Sequence, residues 1–220
     1  ATNCTFTGVA SFDDCTVTEP VFECESGPLF GGDLSMRNAA VQGLQLRADG
    51  KTVAGDADFT GADVENGRLN QFEAGGDVVL TEADLTEARL VNADLCGAVL
   101  AGALLSRARL INADLRGAYL YQAVIADASI DPETEFALPA DPVVYDPASD
   151  APASVATGLD IEDDGVDRES KALQVYSSIH EATRESGQSE TAIDSYRRRQ
   201  RMKRLRTSGP VRPLSPRSGA

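Results

Sequence analysis

The residue types best suited to catalysis or metal binding are few in this chain and far apart. His180 is the only histidine among 220 residues, so a hydrolytic triad or a cysteine–histidine pair would have to be built around it. The cysteines, Cys4, Cys15, Cys24 and Cys96, lack the C-x-x-C spacing and the histidine partners of a metal site. We therefore predict no metal site, and we expect His180 to lie at a surface or within a pair of packed helices.

Carboxylates and glycines also lack the arrangements that chemistry requires. The aspartate pairs at 13–14 and 163–164 are sequence neighbours in acidic stretches, and nothing indicates the paired environment that acid–base catalysis needs. The glycine pairs at 31–32 and 75–76 have neither the spacing of a phosphate-binding loop nor its Lys-Ser/Thr ending. The sequence therefore predicts a non-enzymatic protein without a cofactor.

The composition indicates an acidic protein of the cytoplasm. The net charge is −15, from 35 acidic and 20 basic residues. Only Lys51, Lys171 and Lys203 are lysines, and this composition resembles that of proteins from salt-loving microbes. Because there is neither a signal peptide nor a membrane-spanning apolar run, we expect a cytoplasmic location. The missing initiator methionine favours a trimmed or partial chain.

Any functional residue must be positioned by a repeat of five residues. From Ala83 to Ile130 the chain reads ADLTE ARLVN ADLCG AVLAG ALLSR ARLIN ADLRG AYLYQ AVIAD ASI. Leucine or isoleucine occupies one phase, and alanine stands two residues earlier each time. This period fits neither the helical period of 3.6 nor the strand period of 2, so a straight helix is excluded.

A solenoid satisfies this period. If each quintet forms a short extended side and then turns, leucine and alanine both point inward. Four such sides complete one coil, so residues about twenty positions apart lie above one another at the ~4.8 Å spacing of paired strands. The phase extends upstream to the first residues, with Cys4 and Cys15 as small inward residues. Cys24 and Cys96 are expected nearer the outside.

The pattern A-[DN]-L-x-x resembles the pentapeptide-repeat proteins. The resemblance implies an all-β fold, a right-handed quadrilateral β-helix, which we assign to residues 1–131 with an irregular stretch at 24–52. Leu69 and Leu80 are eleven residues apart, one more than two repeats require, which predicts a bulge near glycines 75 and 76.

The residues after the repeats predict three further segments. Residues 132–168 form an acidic, proline-rich linker, 169–206 an α-helical hairpin with a basic end, and 207–220 a disordered tail. Over a short stretch, the hairpin resembles the segment that joins the rod to an ion-channel-like membrane domain in some archaeal pentapeptide-repeat proteins. A membrane would then be reached only through a segment missing from this chain or through the basic end.

The basic end is the candidate contact with anionic surfaces. It could flank a membrane on the cytoplasmic side, or it could simply complement the dipole of the helix that carries it. Its members are Arg197, Arg198, Arg199, Arg201, Lys203, Arg204 and Arg206.

Stacking the repeats predicts the outer surface column by column. Asp94 lies over Asp114, but Arg89 over Arg109 breaks any continuous acidic stripe. Glu87, Arg107 and Asp127 stack as a column of alternating charge, so the columns mix charges of both signs. Two adjacent sides of the last coils instead expose apolar residues. These are Val99, Leu104, Tyr119, Tyr121 and Val124. An exposed apolar patch usually marks a contact site, so we expect this one to dock the linker, the hairpin or a second copy of the chain.

These features favour a structural or protein-interaction scaffold, with a protein partner or self-association as a possible homodimer. We expect no sequence-specific binding of nucleic acid. The resemblance leaves an alternative open, because some pentapeptide-repeat proteins imitate the charge and width of DNA and inhibit type II topoisomerases. The mixed columns argue against it, since a duplex presents an unbroken row of negative charge.

Overall fold

The computed structural model describes residues 6–25, 27–48, 50–136, 166, 168–187, 192–193, 195–200 and 203. These residues form a β-helical solenoid and a helical segment. The strands are β1 (Ala10–Ser11), β2 (Val21–Cys24), β3 (Leu34–Ser35), β4 (Gln45–Ala48), β5 (Ala57–Asp58) and β6 (Val78–Val79), followed by helix α1 (Arg168–Glu185). Residues 192–193, 195–200 and 203 are also helical. Most of the predicted linker and the whole predicted tail lie outside the described residues.

The strands pair in parallel, coil over coil. One sheet has the order β1-β3-β5-β6 and the other pairs β2 with β4. Beyond β6 the pairing continues as isolated parallel bridges, including Asp94 with Asp114 and Arg89 with Arg109, so the predicted columns are confirmed. The alanine and leucine or isoleucine positions predicted to face inward between 83 and 130 are all buried.

Each corner of the solenoid is closed by its own inward residues. The N–H of Ala83 donates to the carbonyl oxygen of Leu80 at 3.2 Å, and the same alanine-to-leucine bond recurs at the later corners. The residue before each alanine has a positive φ, and these residues are Glu82, Glu87, Asn92, Gly97, Gly102, Arg107, Asn112, Gly117, Gln122 and Asp127. A side chain in this left-handed region costs ~1–2 kcal/mol. The corners persist because packing and hydrogen bonds hold them from both sides.

The coils become shorter along the chain. Phe6 pairs with Phe30, 24 residues on, Phe30 with Val53 after 23, Val53 with Ala74 after 21, and Val79 with Val99 after 20. The stretch at 24–52, predicted to be irregular, therefore belongs to longer coils and contains β3 and β4. The extra space is filled by aromatic rings, since those of Phe6, Phe12, Phe22 and Phe30 have centroids 5.0–6.4 Å apart.

The extra residue lies between Leu69 and Leu80, as predicted, but before the glycine pair near which the bulge was expected. Successive bridge positions are five residues apart from Asp63 to Arg68 and from Val79 to Asp84, but six apart from Arg68 to Ala74. A Cβ atom added to Gly75 would lie 2.1 Å from the carbonyl oxygen of Ala54, and the neighbouring glycine is equally confined. Glycine is required here because the backbone of the preceding coil passes too close for a side chain.

The cysteines only partly follow the predicted pattern. Cys15 is half-buried against the core and Cys96 is exposed, as expected. Cys24 is buried, so its predicted outward position is wrong. It ends β2, where the longer N-terminal coils change the phase of the repeat. Cys4 lies outside the described residues.

Hydrogen bonds close the C-terminal end of the solenoid. Asp131 accepts the N–H of Asn112 through Oδ1 at 2.9 Å, and the Thr134 hydroxyl donates to the carbonyl of Leu110 at 2.8 Å. Glu135 pairs with Asp114, and Phe136 is buried in the core. Coil-to-coil pairing thus continues to residue 135.

The corner conformation can be tested at Gly97, whose φ is 70° and whose missing Cβ would meet nothing within 4 Å. Gly97→Val should lower the free energy of unfolding by ~1–2 kcal/mol more than Gly97→Asn, because a β-branched residue is strained in the left-handed region that asparagine tolerates. Urea denaturation of both variants measures the difference. Equal loss in the two variants would contradict a left-handed corner.

Candidate functional site

The apolar residues of the last coils lie in adjoining columns. Val99 pairs with Tyr119 and Leu104 with Val124, and the rings of Tyr119 and Tyr121 have centroids 6.3 Å apart. Leu104 and Val124 are exposed, at 38% and 40%, whereas Val99, Tyr119 and Tyr121 are 0%, 3% and 8% exposed. The expectation that all five face solvent is therefore wrong for three of them.

Helix α1 explains this burial. The Lys171 Nζ atom lies 4.8 Å from the centroid of the Tyr121 ring. Val175, Ile179 and Ala182 belong to the same buried apolar cluster as the coil residues. Positions 171, 175, 179 and 182 share one face of a helix, because side chains three or four residues apart lie on the same side. This stripe packs beside outward positions of the solenoid that would otherwise face water.

His180 joins α1 to the second helical segment. Its Nδ1 lies 2.9 Å from the carbonyl oxygen of Ala192, and because a carbonyl only accepts, Nδ1–H donates. The His180 ring also lies 5.6 Å from the ring of Tyr196. His180 thus packs between helices, one of the two placements that the sequence predicts.

Many outward aspartates hold the corners of the solenoid, a role that the sequence reasoning missed. Oδ1 of Asp84 accepts the N–H of Thr86 at 2.9 Å, and Asp58, Asp63, Asp94 and Asp114 make the same bond to the residue two positions on. Aspartate and asparagine favour such turns, so the A-[DN]-L pattern itself carried the signal. Part of the acidity of the rod is therefore structural.

The aspartate pair at 13–14 also serves the solenoid. Asp13 accepts hydrogen bonds from the Ser35 hydroxyl and from the N–H of Arg37, and Asp14 accepts one from the Asn38 side chain. The Ser35 hydrogen bond is the main cause that holds the pKa of Asp13 below its ordinary value. The pair at 163–164 lies outside the described residues.

Like charges stack into two ladders on different parts of the surface. The basic ladder is Arg68, Arg89 and Arg109, which pair in series and are all exposed. Within the described part of the chain, none of these three arginines forms an ion pair. In the acidic ladder, Oδ1 of Asp33 accepts the N–H of Asp56 at 3.0 Å, and Oδ1 of Asp56 that of Asp77 at 2.8 Å.

An ion-pair cluster marks the C-terminal end of the rod. Arg116 Nε lies 2.9 Å from Oδ1 of Asp114 and 2.9 Å from Oε2 of Glu135, beside a shallow depression of about 490 Å³. The Arg116 hydrogen bond lowers the pKa of Asp114, and Asp114 in turn raises the pKa of Arg116. Partial desolvation, with the charges of Asp114 and Asp94, raises the pKa of the Cys96 thiol. A raised pKa reduces the thiolate fraction, so Cys96 is a poor nucleophile.

The basic end is described only in part. Arg197 and Lys203 are exposed, and Arg198 and Arg199 are half-buried. Arg201, Arg204 and Arg206 lie outside the described residues. No helix in the described ranges combines the length and apolar character needed to cross a membrane. Among the same residues, no group of three histidine, cysteine or acidic side chains is placed to hold a metal ion.

Comparison with known proteins agrees with the repeat. The family model for pentapeptide repeats matches residues 79–117 and 103–131, with 8 copies. No curated protein matches the chain. Because the family match ends at residue 131, the resemblance of the hairpin to archaeal proteins stays a prediction.

The solved structures that match this chain include the following two. A pentapeptide-repeat protein, Rfr23, from the cyanobacterium Cyanothece 51142 is 17% identical, and the match covers 58% of this chain and 89% of that one, with a TM-score of 0.27. QnrB1, a plasmid-mediated fluoroquinolone resistance protein, is 12% identical over 59% of this chain and 73% of its own, with a TM-score of 0.20.

The Asp114–Arg116 pair makes a testable contribution to acid stability. The pKa of Asp114 is lowered in the folded state from its ordinary value of 3.8. The pair therefore stabilises the fold at pH values above 3.8, and this stabilisation is lost as the pH falls through the lowered pKa. Arg116→Gln should therefore lose less stability than the wild type between about pH 6 and pH 3. The difference is small because both side chains are partly exposed.

Urea denaturation midpoints at the two pH values measure the effect. The control is Arg109→Gln, which removes an arginine without an ion pair in the described structure and should follow the wild type. Parallel pH dependence in Arg116→Gln and the wild type would refute the assignment.

Proposed function

We propose that this chain, whose residues 79–131 match the family model for pentapeptide repeats, acts as a rigid, non-enzymatic scaffold for protein interaction. The solenoid would be a right-handed quadrilateral β-helix, consistent with the bridge columns at 79, 84, 89 and 94, the first of which recurs at 99. Its working surface lies on the last coils, where α1 packs.

The observation that carries this proposal is the contact between α1 and Tyr121. The outward positions of the repeat are polar in many coils, yet at Val99, Tyr119 and Tyr121 they are apolar and buried. A lysine over an aromatic ring contributes about 0.5–2 kcal/mol, and more as water is excluded. Lys171 of α1 is itself buried over the Tyr121 ring. The aromatic side of the rod is therefore chemically suited to bind a helix.

The adjacent column is the proposed surface for a further protein. Leu104 and Val124 stack on each other and stay exposed beside the helix-bearing side. Apolar side chains that remain in water beside a buried apolar cluster favour contact with a partner or with a second copy. The basic ladder offers such a partner three arginines, a residue type enriched in interfaces.

Hydrogen exchange tests the helix-docking surface. Tyr121→Ser removes the ring beneath Lys171 and should raise the exchange rates of α1 amides, because the helix loses its cation–π contact and buried area. Leu104→Ser, on the neighbouring column, is the matched control and should leave α1 protection unchanged while altering self-association if that column joins two copies. Unchanged α1 exchange in Tyr121→Ser, with the fold intact by circular dichroism, would reject the proposal.

The second candidate function is imitation of DNA toward a type II topoisomerase. The acidic ladder of Asp33, Asp56 and Asp77 favours it, since it stacks negative charge along the rod. The basic ladder opposes it, as does the ion pair of Arg107 with Glu87 at 2.8 Å, because both interrupt the continuous negative charge of a duplex.

A supercoiling assay separates the two functions. At micromolar protein and matched salt, we expect no inhibition of DNA gyrase by the full chain, because a row of unpaired arginines cannot replace phosphates. Arg68→Glu combined with Arg89→Glu and Arg109→Glu provides a more acidic comparison. If the wild type inhibits gyrase and the triple variant inhibits it more strongly, the result would favour DNA mimicry over the scaffold function.

The basic end is proposed as a non-specific contact with anionic surfaces. Its exposed members in the described structure, Arg197 and Lys203, are remote in sequence from the acidic repeats. Such contacts are electrostatic and weaken with salt over a Debye length of ~10 Å at 0.1 M.

A further inference from the structure

A small cavity lies between α1 and the second helical segment. Its volume is about 180 Å³, and its lining residues are Ser177, His180, Glu181, Arg184 and Arg199. The first four belong to α1 and Arg199 belongs to the second segment. The volume is below the ~300–1,000 Å³ of pockets for drug-sized ligands, so only a small group fits.

The lining carries more positive than negative charge. Two guanidinium groups, of Arg184 and Arg199, face one carboxylate, that of Glu181. Within the described residues, none of the three takes part in an ion pair. Arg184 and Glu181 are exposed to solvent, whereas Arg199 is half-buried, so the charge of Arg199 is the one less stabilised by water.

Arg199 supplies an independent sign that a group belongs there. Its Nε atom is buried and has no hydrogen-bond partner among the residues that the structure describes. A buried donor without an acceptor is unfavourable, and a bound water or ion is one way in which folded proteins satisfy such an atom. An acceptor with negative charge would satisfy Nε and offset the guanidinium charge together.

The two neutral polar groups of the lining have hydrogen-bond partners outside the cavity. The Ser177 hydroxyl donates to the carbonyl of Leu173 at 2.6 Å, and His180 is engaged through Nδ1 with Ala192. Arginine presents donors in a planar fork that matches carboxylate, sulfate and phosphate oxygens.

We propose that this cavity is a binding site for a small oxyanion, held between Arg184 on α1 and Arg199 on the second segment. The bound group supplies the acceptor that Arg199 Nε lacks, and Glu181 weakens the site by repulsion. Because one arginine comes from each helical segment, the bound anion stabilises the same packing that the His180 hydrogen bond holds together. The site is separate from the proposed scaffold surface and does not depend on it.

His180 gives a direct readout, since it is the only histidine and its ring signal in a proton–carbon NMR spectrum needs no further assignment. The full chain is titrated with sodium sulfate and, in a second arm, sodium acetate, each against sodium chloride at equal ionic strength. We expect a saturable shift of the His180 signal with sulfate or acetate that chloride does not reproduce. The more potent of the two identifies a tetrahedral or a carboxylate ligand.

Three variants make the test specific. Arg199→Gln should weaken binding about tenfold or more, since it removes a charged hydrogen bond. Glu181→Gln should tighten binding, because it removes the opposing charge, and Arg89→Gln on the rod should change nothing. Where Arg199→Gln loses helicity by circular dichroism, Arg184→Gln takes its place. An equal response to chloride, no saturation with either oxyanion, or unchanged affinity in both arginine variants would overturn the proposal.

Discussion

Each corner of the regular coils, from Leu80 to Ala128, depends on one hydrogen bond, from the N–H of an inward alanine to the carbonyl of the inward leucine or isoleucine three residues before it. The same two side chains fill the core, so one pair of residues determines both the turn and the packing. The second of the two intervening residues adopts the left-handed region, at a cost of ~1–2 kcal/mol for a residue with a Cβ atom. Packing along the whole rod must offset that cost. At Gly75, where the preceding coil passes close, only glycine fits.

Stacking turns each outward residue into part of a column. Arginine over arginine gives the basic ladder, and aspartate over aspartate the acidic one. Yet the carboxylates of Asp58, Asp84 and Asp94 also close corners by accepting backbone N–H groups. A net charge of −15 therefore does not by itself make a surface that resembles DNA.

The helical segment adds what a uniform rod lacks. Lys171 and the apolar stripe of α1 pack where the last coils present tyrosines, and His180 ties α1 to the second segment. The proposed scaffold surface thus lies where α1 meets the rod, and the proposed oxyanion cavity lies where α1 meets the second helical segment. A ligand in the cavity would stabilise the packing of the second segment on α1, the helix that covers the aromatic side of the rod.

The sequence alone determined the inward positions, the charge columns and the extra residue between Leu69 and Leu80, because these follow from a local period that every coil repeats. Only the tertiary structure decided the longer N-terminal coils, since the four clustered phenylalanines fill space that no five-residue pattern specifies. It also decided that Tyr121 is covered, because the covering helix lies about fifty residues away and contributes a stripe with a different period. The cavity at Arg199 has the same cause, since it exists only where two helical segments meet.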